Sequence, residues 1–388
     1  MKRQTQIELM ARVLRHLADG TTDLAPDVQR NEASSYASPQ RLRQEESILF
    51  RNYPLVMAMS CQLPNPGDRL TNDLTGIPVL VVRGEDGRIR AFVNACSHRG
   101  ARVAEGCGHG RKLVCPYHAW TYDLQGQLKG IPDEKSFPGV DKCTHGLTQL
   151  PAAERNGMIW VVPNPEVPLD LDISDYLGGL DEEIGSFNLA QHHHYECREI
   201  RHKMNWKLAI DTFLEPYHLG ILHRNTVAPL FFSNICLFDA FGQHLREVLV
   251  RRSVETQKEL SPSEQDLIAH NTLVYVLFPN TVFVVQVDHI ETWRVYPIKG
   301  RVDECVMYLD FFTPEPIDTE SARRHWSRNM DLTIRTVCEE DFPTCEGMQA
   351  AFGAGARKEL VYGRNEPALA HFQRSVRSAV EGAAPLAR

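Results

Sequence analysis

Cys96-Ser97-His98-Arg99-Gly100 and Cys115-Pro116-Tyr117-His118-Ala119-Trp120 stand close along the chain, with 16 residues between His98 and Cys115. Written as patterns they are C-x-H and C-x-x-H. Each can form a loop that points a soft thiolate and an imidazole at one locus, and two loops facing each other complete four ligands. Unrelated core cysteines beside surface histidines would use the same letters, and a Cys2His2 zinc site is chemically allowed. The favoured reading is a [2Fe–2S] cluster with Cys96 and Cys115 on one iron and His98 and His118 on the other. Two neutral ligands in place of two anionic ones raise the reduction potential.

Outward from these loops the chain reads as short strands and turns. Ile77 to Arg83, the turn Gly84-Glu85-Asp86-Gly87 and Ile89 to Asn94 precede the first loop; Asp123 to Gly126 and Met158 to Val162 follow the second. This spacing predicts a small antiparallel β domain from about Pro54 to Pro163. Pro163-Asn164-Pro165-Glu166-Val167-Pro168 reads as a linker. Beyond it, strands are expected around Leu273–Phe278, Val282–Val287 and Val306–Phe312, with helices around Trp206–Leu222 and Ser321–Phe352. The whole is α+β, helices on a larger antiparallel sheet. The expected divisions are residues 1–45, a helical segment packing on the second domain, then 46–165 and 166–388.

A second constellation lies in Asn205 to His223. Asp211, Glu215 and His218, at i, i+4 and i+7, would share one stripe of a regular helix. His223 falls five residues past His218, about 140° away at 100° per residue. Both can reach one metal only if the helix ends or distorts, and Pro216 and Gly220 allow that. Two imidazoles and one carboxylate leave three positions of an octahedral Fe(II) open. The carboxylate must come from elsewhere. Trp326, Met330, Ile334, Val337, Asp341, Cys345, Met348 and Phe352 form a helical stripe that is apolar except for Asp341, so Asp341 is the candidate. Glu339 and Glu340 fall off the stripe and read as solvated-face residues. Asp211 is either an acceptor orienting His218 or a buried hydrogen-bonding group.

Together these motifs, with the flanking Arg99-Gly100 and Trp120-Thr121-Tyr122-Asp123, resemble the large (alpha) terminal oxygenase subunit of Rieske non-haem iron oxygenases, the aromatic-ring-hydroxylating oxygenase family. The resemblance runs from about Arg51 to Phe352. It implies a small antiparallel β Rieske domain plus a larger catalytic domain of helix-grip, START-like fold. Respiratory Rieske proteins carry an extra cysteine in each ligand loop; Ala101 and Tyr117 stand there here, so the likeness is to lower-potential Rieske domains. The family pattern of carboxylate, two residues, His, four residues, His matches Glu215, His218 and His223, with Asp341 as the distant iron ligand. It makes Glu215 a bridge, not a ligand, on a path from His118 to Glu215 to His218. It further implies rings of three alpha subunits, with or without beta subunits, in which one copy's cluster serves its neighbour's iron. The reaction implied is oxygenation of a hydrophobic, aromatic or cyclic small molecule with O2. Glu at position 215 gives slight weight to relatives that oxidise carnitine-like quaternary ammonium compounds.

The remaining sequence narrows the field. The 388 residues carry 42 Lys and Arg against 50 Asp and Glu, a net charge of −8 without long like-charge blocks. No footprint for nucleic acid or an anionic membrane follows from such a balance. The N-terminus reads as amphipathic helix rather than a leader, no run approaches a membrane span, and the ten scattered cysteines suit reduced thiols. A cytoplasmic protein is expected. Gly353-Ala354-Gly355 is no dinucleotide fingerprint, so electrons must come from an NAD(P)H-dependent reductase, with or without a ferredoxin. Cys107 reads as a bystander, and His192-His193-His194 as surface.

Overall fold

The computed structural model describes residues 1–382; the last six residues of the 166–388 division lie outside the described residues. It divides into two units, residues 44–176 with 188–191, and residues 1–43, 177–187 and 192–382.

In the smaller unit a five-stranded antiparallel sheet joins Gln149–Leu150, Ile89–Val93, Val79–Arg83, Asp68–Asn72 and Cys107–His109. A three-stranded sheet of Leu113–Val114, Thr121–Tyr122 and Leu128–Gly130 carries the second Cys/His loop between its first two strands. The predicted hairpin Val79–Arg83/Ile89–Val93 pairs Arg83 with Ile89, and Gly87 takes the positive φ of +75° that its turn needs. Leu80, Val82 and Phe92 pack with Trp120, Tyr122 and Leu128, and both ligand-loop cysteines belong to this same apolar cluster.

The larger unit is built on a seven-stranded antiparallel sheet. Its order is His193–His202, Arg301–Thr313, Ile290–Ile298, Thr281–Val285, Asn271–Leu277, His244–Arg251, Phe231–Phe241. Six of these strands follow one another as a meander. The seventh, from earlier in the chain, pairs with Arg301–Thr313. Register sets the chemistry of one sheet face: Leu249 opposes Thr272, Val274 opposes Val284, and Val284 opposes Glu291. Alternation along Leu245–Arg251 then puts Arg251 on the face that Leu249 occupies.

Helices cover the sheet. Arg3–Asp19 packs on Phe231–Phe241, where Arg12 pairs with Asp239 at 2.8 Å and Asp23 at 2.5 Å. Pro367–Gly382 packs on the two strands between residues 231 and 251. The expected long helix runs as Glu320–Ile334, a seven-residue π-helical stretch Arg335–Asp341, and Phe342–Gly353. Pro343 supplies the reason for the widening: its ring would strike the carbonyl one α-turn back, and a wider turn relieves the clash. Among the described residues no helix is long and apolar enough to cross a membrane.

Candidate metal centres

The two Cys/His loops share one backbone scheme. Cys96 N–H donates to Ala101 O and Gly100 N–H donates to Cys96 O, both at 2.8 Å; Cys115 donates to Trp120 O and Ala119 to Cys115 O, both at 2.9 Å. The fifth residue of each loop is left-handed, φ +77° at Gly100 and +57° at Ala119. Glycine takes that conformation freely, whereas alanine pays about 1–2 kcal/mol. His98 is third in its loop and His118 fourth, yet the ring centroids lie 4.8 Å apart. The sulfurs are inside, Cys96 and Cys115 being 3% and 2% exposed, and both imidazoles are half-buried at the surface. His98 stacks on Trp120 at 4.8 Å, and the Tyr122 hydroxyl lies 3.0 Å from Cys96 Sγ. Burial pushes the Cys96 thiol up, with the Tyr122 contact opposing it. A metal that withdraws the proton would reverse that penalty. All ten cysteines are free thiols.

In the larger unit His218, His223 and Asp341 converge. His218 Nε2 is 3.1 Å from His223 Nε2 and 3.4 Å from Asp341 Oδ1, and His223 Nε2 is 3.1 Å from Asp341 Oδ1. Such edges arise when three bonds of about 2.1 Å meet near a right angle or slightly wider. Each imidazole is turned by a carboxylate behind it. Glu215 takes the His218 Nδ1 hydrogen and, at 3.1 Å, the His218 backbone N–H. Glu340 Oε2 takes the His223 Nδ1 hydrogen at 2.7 Å and the Thr226 hydroxyl at 2.6 Å. With both Nδ1 atoms donating, two Nε2 lone pairs and a carboxylate face one point, which is repulsive unless a cation sits there. Burial lowers the His223 pKa, but Asp341 and Glu340 outweigh it and the net direction is up, so the locus favours positive charge.

Several expectations change here. The predicted helix Trp206–Leu222 is two pieces, Trp206–Asp211, capped by Asn205, and Leu219–Leu222, with an irregular turn through Pro216 between them. Asp211 therefore shares no stripe with Glu215 and His218. Its carboxylate accepts from Tyr36 at 2.6 Å and Gln373 at 2.7 Å, which makes it a half-buried hydrogen-bonding group and leaves His218 to Glu215. Glu340 is no solvated-face residue: the wide π turn brings it beside Asp341 to His223. Met348 is 43% exposed, and Gln349 takes its place inside, bonded to Tyr36 O at 3.1 Å and Asn205 N at 3.0 Å. Of the three consecutive histidines, His194 is no plain surface group, because Nε2 meets the buried Asp310 at 2.9 Å. Sequence signals existed for the irregular turn at Glu340 and for polar groups on the strand His244–Arg251, which the sequence reading did not use. Pro343 marks the helix as irregular, and Arg246, Glu247 and Arg251 interrupt an apolar strand that has no solvent face.

Asp211 gives a stability prediction. Burial raises its pKa to about 7 against the lowering by Tyr36, Gln373 and Lys207. The folded state therefore holds a proton that the unfolded chain has lost. The contribution is complete below about pH 4 and disappears as pH climbs to about 7. Relative to Asp211→Asn, the wild type should lose denaturation midpoint between pH 4 and 7, with a constant difference above. Parallel pH profiles in a urea titration would contradict this.

A cavity of about 360 Å³ opens on the three converging donors. Its walls include Phe213, Leu219, Val227, Phe231, Leu249, Val274, Val284 and Leu332, with Arg251, Gln286, His289 and Glu291 as polar members. Of the aromatic residues on the sheet, Phe231 is a wall; Tyr275, Phe283 and Trp293 are fully buried core.

Comparison with known proteins finds a family match for each part of the chain. The ring hydroxylating alpha subunit (catalytic domain) profile matches residues 188–382 and the Rieske [2Fe-2S] domain profile residues 54–151. The chain belongs to the family of Rieske ring-hydroxylating oxygenase alpha subunits, whose cofactors are a [2Fe–2S] cluster and a mononuclear iron. It is 32% identical over 348 residues, 80% of this chain and 81% of the other, to the large oxygenase component of salicylate 5-hydroxylase from a Ralstonia species. It is 31% identical over 209 residues to the glycine betaine monooxygenase oxygenase subunit of Chromohalobacter salexigens, a match covering 52% of this chain and 46% of that one. The chain thus spans about half the length of that relative. In fold it is similar to a quaternary ammonium Rieske monooxygenase solved with L-carnitine, with a TM-score of 0.77, 21% identity and coverage of 91% and 96%.

Proposed function

We propose that this chain is the terminal oxygenase component of a multicomponent system that inserts oxygen from O2 into a hydrophobic, cyclic or aromatic small molecule. The observation that carries this reading is an apolar cavity opening on the donor triplet of His218, His223 and Asp341. These three would hold the mononuclear iron; Cys96, His98, Cys115 and His118 would hold the cluster. When bound, the two groups together supply electrons and an open ferrous position for O2. The chain's own residues do the rest. Glu215 and Glu340 fix the imidazole orientations, Asp341 balances charge, and the apolar walls exclude water and hold the substrate beside the donors.

Electrons would come from an NAD(P)H-dependent reductase, directly or through a ferredoxin. We place the protein in a ring of three copies, alone or with beta subunits. His118 of one copy approaches Glu215 of the next in that arrangement. In support, His118 is half-buried, and Tyr217 and Ile221, beside the iron histidines, are 63% and 80% exposed.

A second reading, oxidation of a quaternary ammonium compound, draws on the glycine betaine relative and on Asp288 and Glu291 in the cavity wall. Cation recognition of that kind uses several aromatic faces. The wall offers Phe213 and Phe231, and the Phe231 ring already carries the Arg251 guanidinium at 5.1 Å. The cyclic substrate therefore fits better. Purified protein should contain about three irons and two acid-labile sulfides per chain. Supplied with a reductase, it should consume O2 with ring compounds ahead of quaternary amines. Colourless protein, or iron without substrate-dependent O2 uptake, would overturn the proposal.

A further inference from the structure

Among the described residues the three buried arginines each meet a carboxylate, whereas the half-buried Arg251 of the cavity wall does not. Arg246 meets Glu183 at 2.7 Å and Asp239 at 2.9 Å; Arg294 meets Asp310 at 2.6 Å; Arg83, in the smaller unit, meets Glu154 at 2.7 Å. Arg251 is half-buried in the cavity wall, and its bonds run only to neutral groups: Nε donates to Thr272 Oγ1 at 3.2 Å and Nη2 to Gln286 Oε1 at 3.0 Å. Gln286 is itself held by the Thr272 hydroxyl at 2.9 Å, and Phe231 lies under the guanidinium. The fork is fixed in place by three strands, while Nη1 has no acceptor among the described residues. Burial lowers the Arg251 pKa against the opposing pull of the Asp288 and Glu291 carboxylates, and the net direction is down.

The carboxylates nearby are already engaged. Asp288 is bonded to His289 at 2.7 Å and His325 at 2.9 Å, and Glu291 to His289 at 3.1 Å and Thr333 at 2.9 Å. A partly desolvated guanidinium with no carboxylate bonded to it is costly unless the ligand brings one. Among the described residues Arg251 is the one lysine or arginine in the wall. A single guanidinium matches a monoanion, and its planar fork matches a carboxylate. A phosphate dianion would need a second cation.

We infer that Arg251, braced by Thr272 and Gln286, is the anchor for a carboxylate carried by the substrate, so that this chain acts on ring-bearing organic acids. The inference rests on the oxygenase reading and names its substrate class. The carboxylate is held on the sheet, leaving the ring between the apolar walls and the donor triplet.

The test compares acids with their uncharged amides, benzoate with benzamide and salicylate with salicylamide, and adds glycine betaine. It uses the full holoenzyme, both by calorimetric binding without reductant and by O2 uptake with it. Wild type should bind the acids more tightly than the amides. Arg251→Gln should raise the acid Kd and KM about 10- to 100-fold, the cost of losing a charge-assisted pair, and abolish the preference for acid over amide. kcat should fall less than KM rises. Arg251→Lys, which keeps the charge without the fork, should recover part of the affinity; a midpoint and visible spectrum like wild type show that each variant is folded. Equal wild-type binding of acid and amide, or an acid preference that survives in Arg251→Gln, overturns the inference. Turnover of glycine betaine alone, unaffected by Arg251→Gln, also overturns it. Arg251-dependent binding of acids by loaded protein that consumes no O2 upholds the anchor and overturns the oxygenase reading instead.

Discussion

His218→Ala should abolish product formation while the protein keeps its colour. His218 Nε2 is one of three atoms within 4.8 Å of one another that offer a metal an electron pair, and no other side chain among the described residues joins that group. Alanine leaves one imidazole and one carboxylate, too few to hold a ferrous ion against water. The Cys96, His98, Cys115 and His118 loops lie in the other unit and keep their own backbone closure, so the cluster's visible absorption should persist. Iron should fall by about one per chain with labile sulfide unchanged. O2 uptake should drop to background, further than the 10- to 100-fold typical when only an orienting partner is removed. Turnover retained by this variant would remove His218 from the ligand set.

Replacing the carboxylates behind the histidines should give smaller losses that differ from each other. Glu215 accepts two hydrogens from His218, one from the ring and one from the backbone. Glutamine can accept only one without turning its NH2 against the other donor. Glu340 is different: His223 Nδ1 and the Thr226 hydroxyl both donate to Oε2, so a glutamine carbonyl can keep both bonds and only the negative charge behind the imidazole is lost. Each variant should bind Fe(II) about 10- to 100-fold more weakly, with activity restored by excess iron. At saturating iron, Glu340→Gln should recover fully. Glu215→Gln should still show slow reoxidation of the reduced cluster, because its carboxylate also lies on the proposed route between centres. Stopped-flow traces identical to wild type in iron-saturated Glu215→Gln would take the bridge out of the mechanism.

How much of this the residues announced depends on the range of the interactions. The Cys/His loops were legible because ligands and backbone closure lie within six consecutive residues. The strands at 271–277 and 301–313 were legible from their apolar runs. Asp341 could be named because a lone carboxylate on an apolar stripe requires a partner, and His218 and His223 because their spacing matches the motif of the family they resemble. Asp211 could not be placed, since its partners Tyr36 and Gln373 lie 175 and 162 residues away. Glu340 was misjudged because a regular 100° step was applied across a stretch that winds more loosely. Arg251 was passed over for a different reason: a charged residue ending a strand looks solvated until the register shows it facing inward beside Leu249.

That loosely wound stretch separates two tasks along one helix. Asn329, Leu332 and Thr333, ahead of it, touch whatever enters the cavity, while Gln349, behind it, is moored to Tyr36 and Asn205. The wide turns at 335–341 lie between them and themselves carry Thr336 and Val337 on the wall and Asp341 among the donors, so one stretch of unusual winding sets both the shape of the chamber and the place of its third ligand atom.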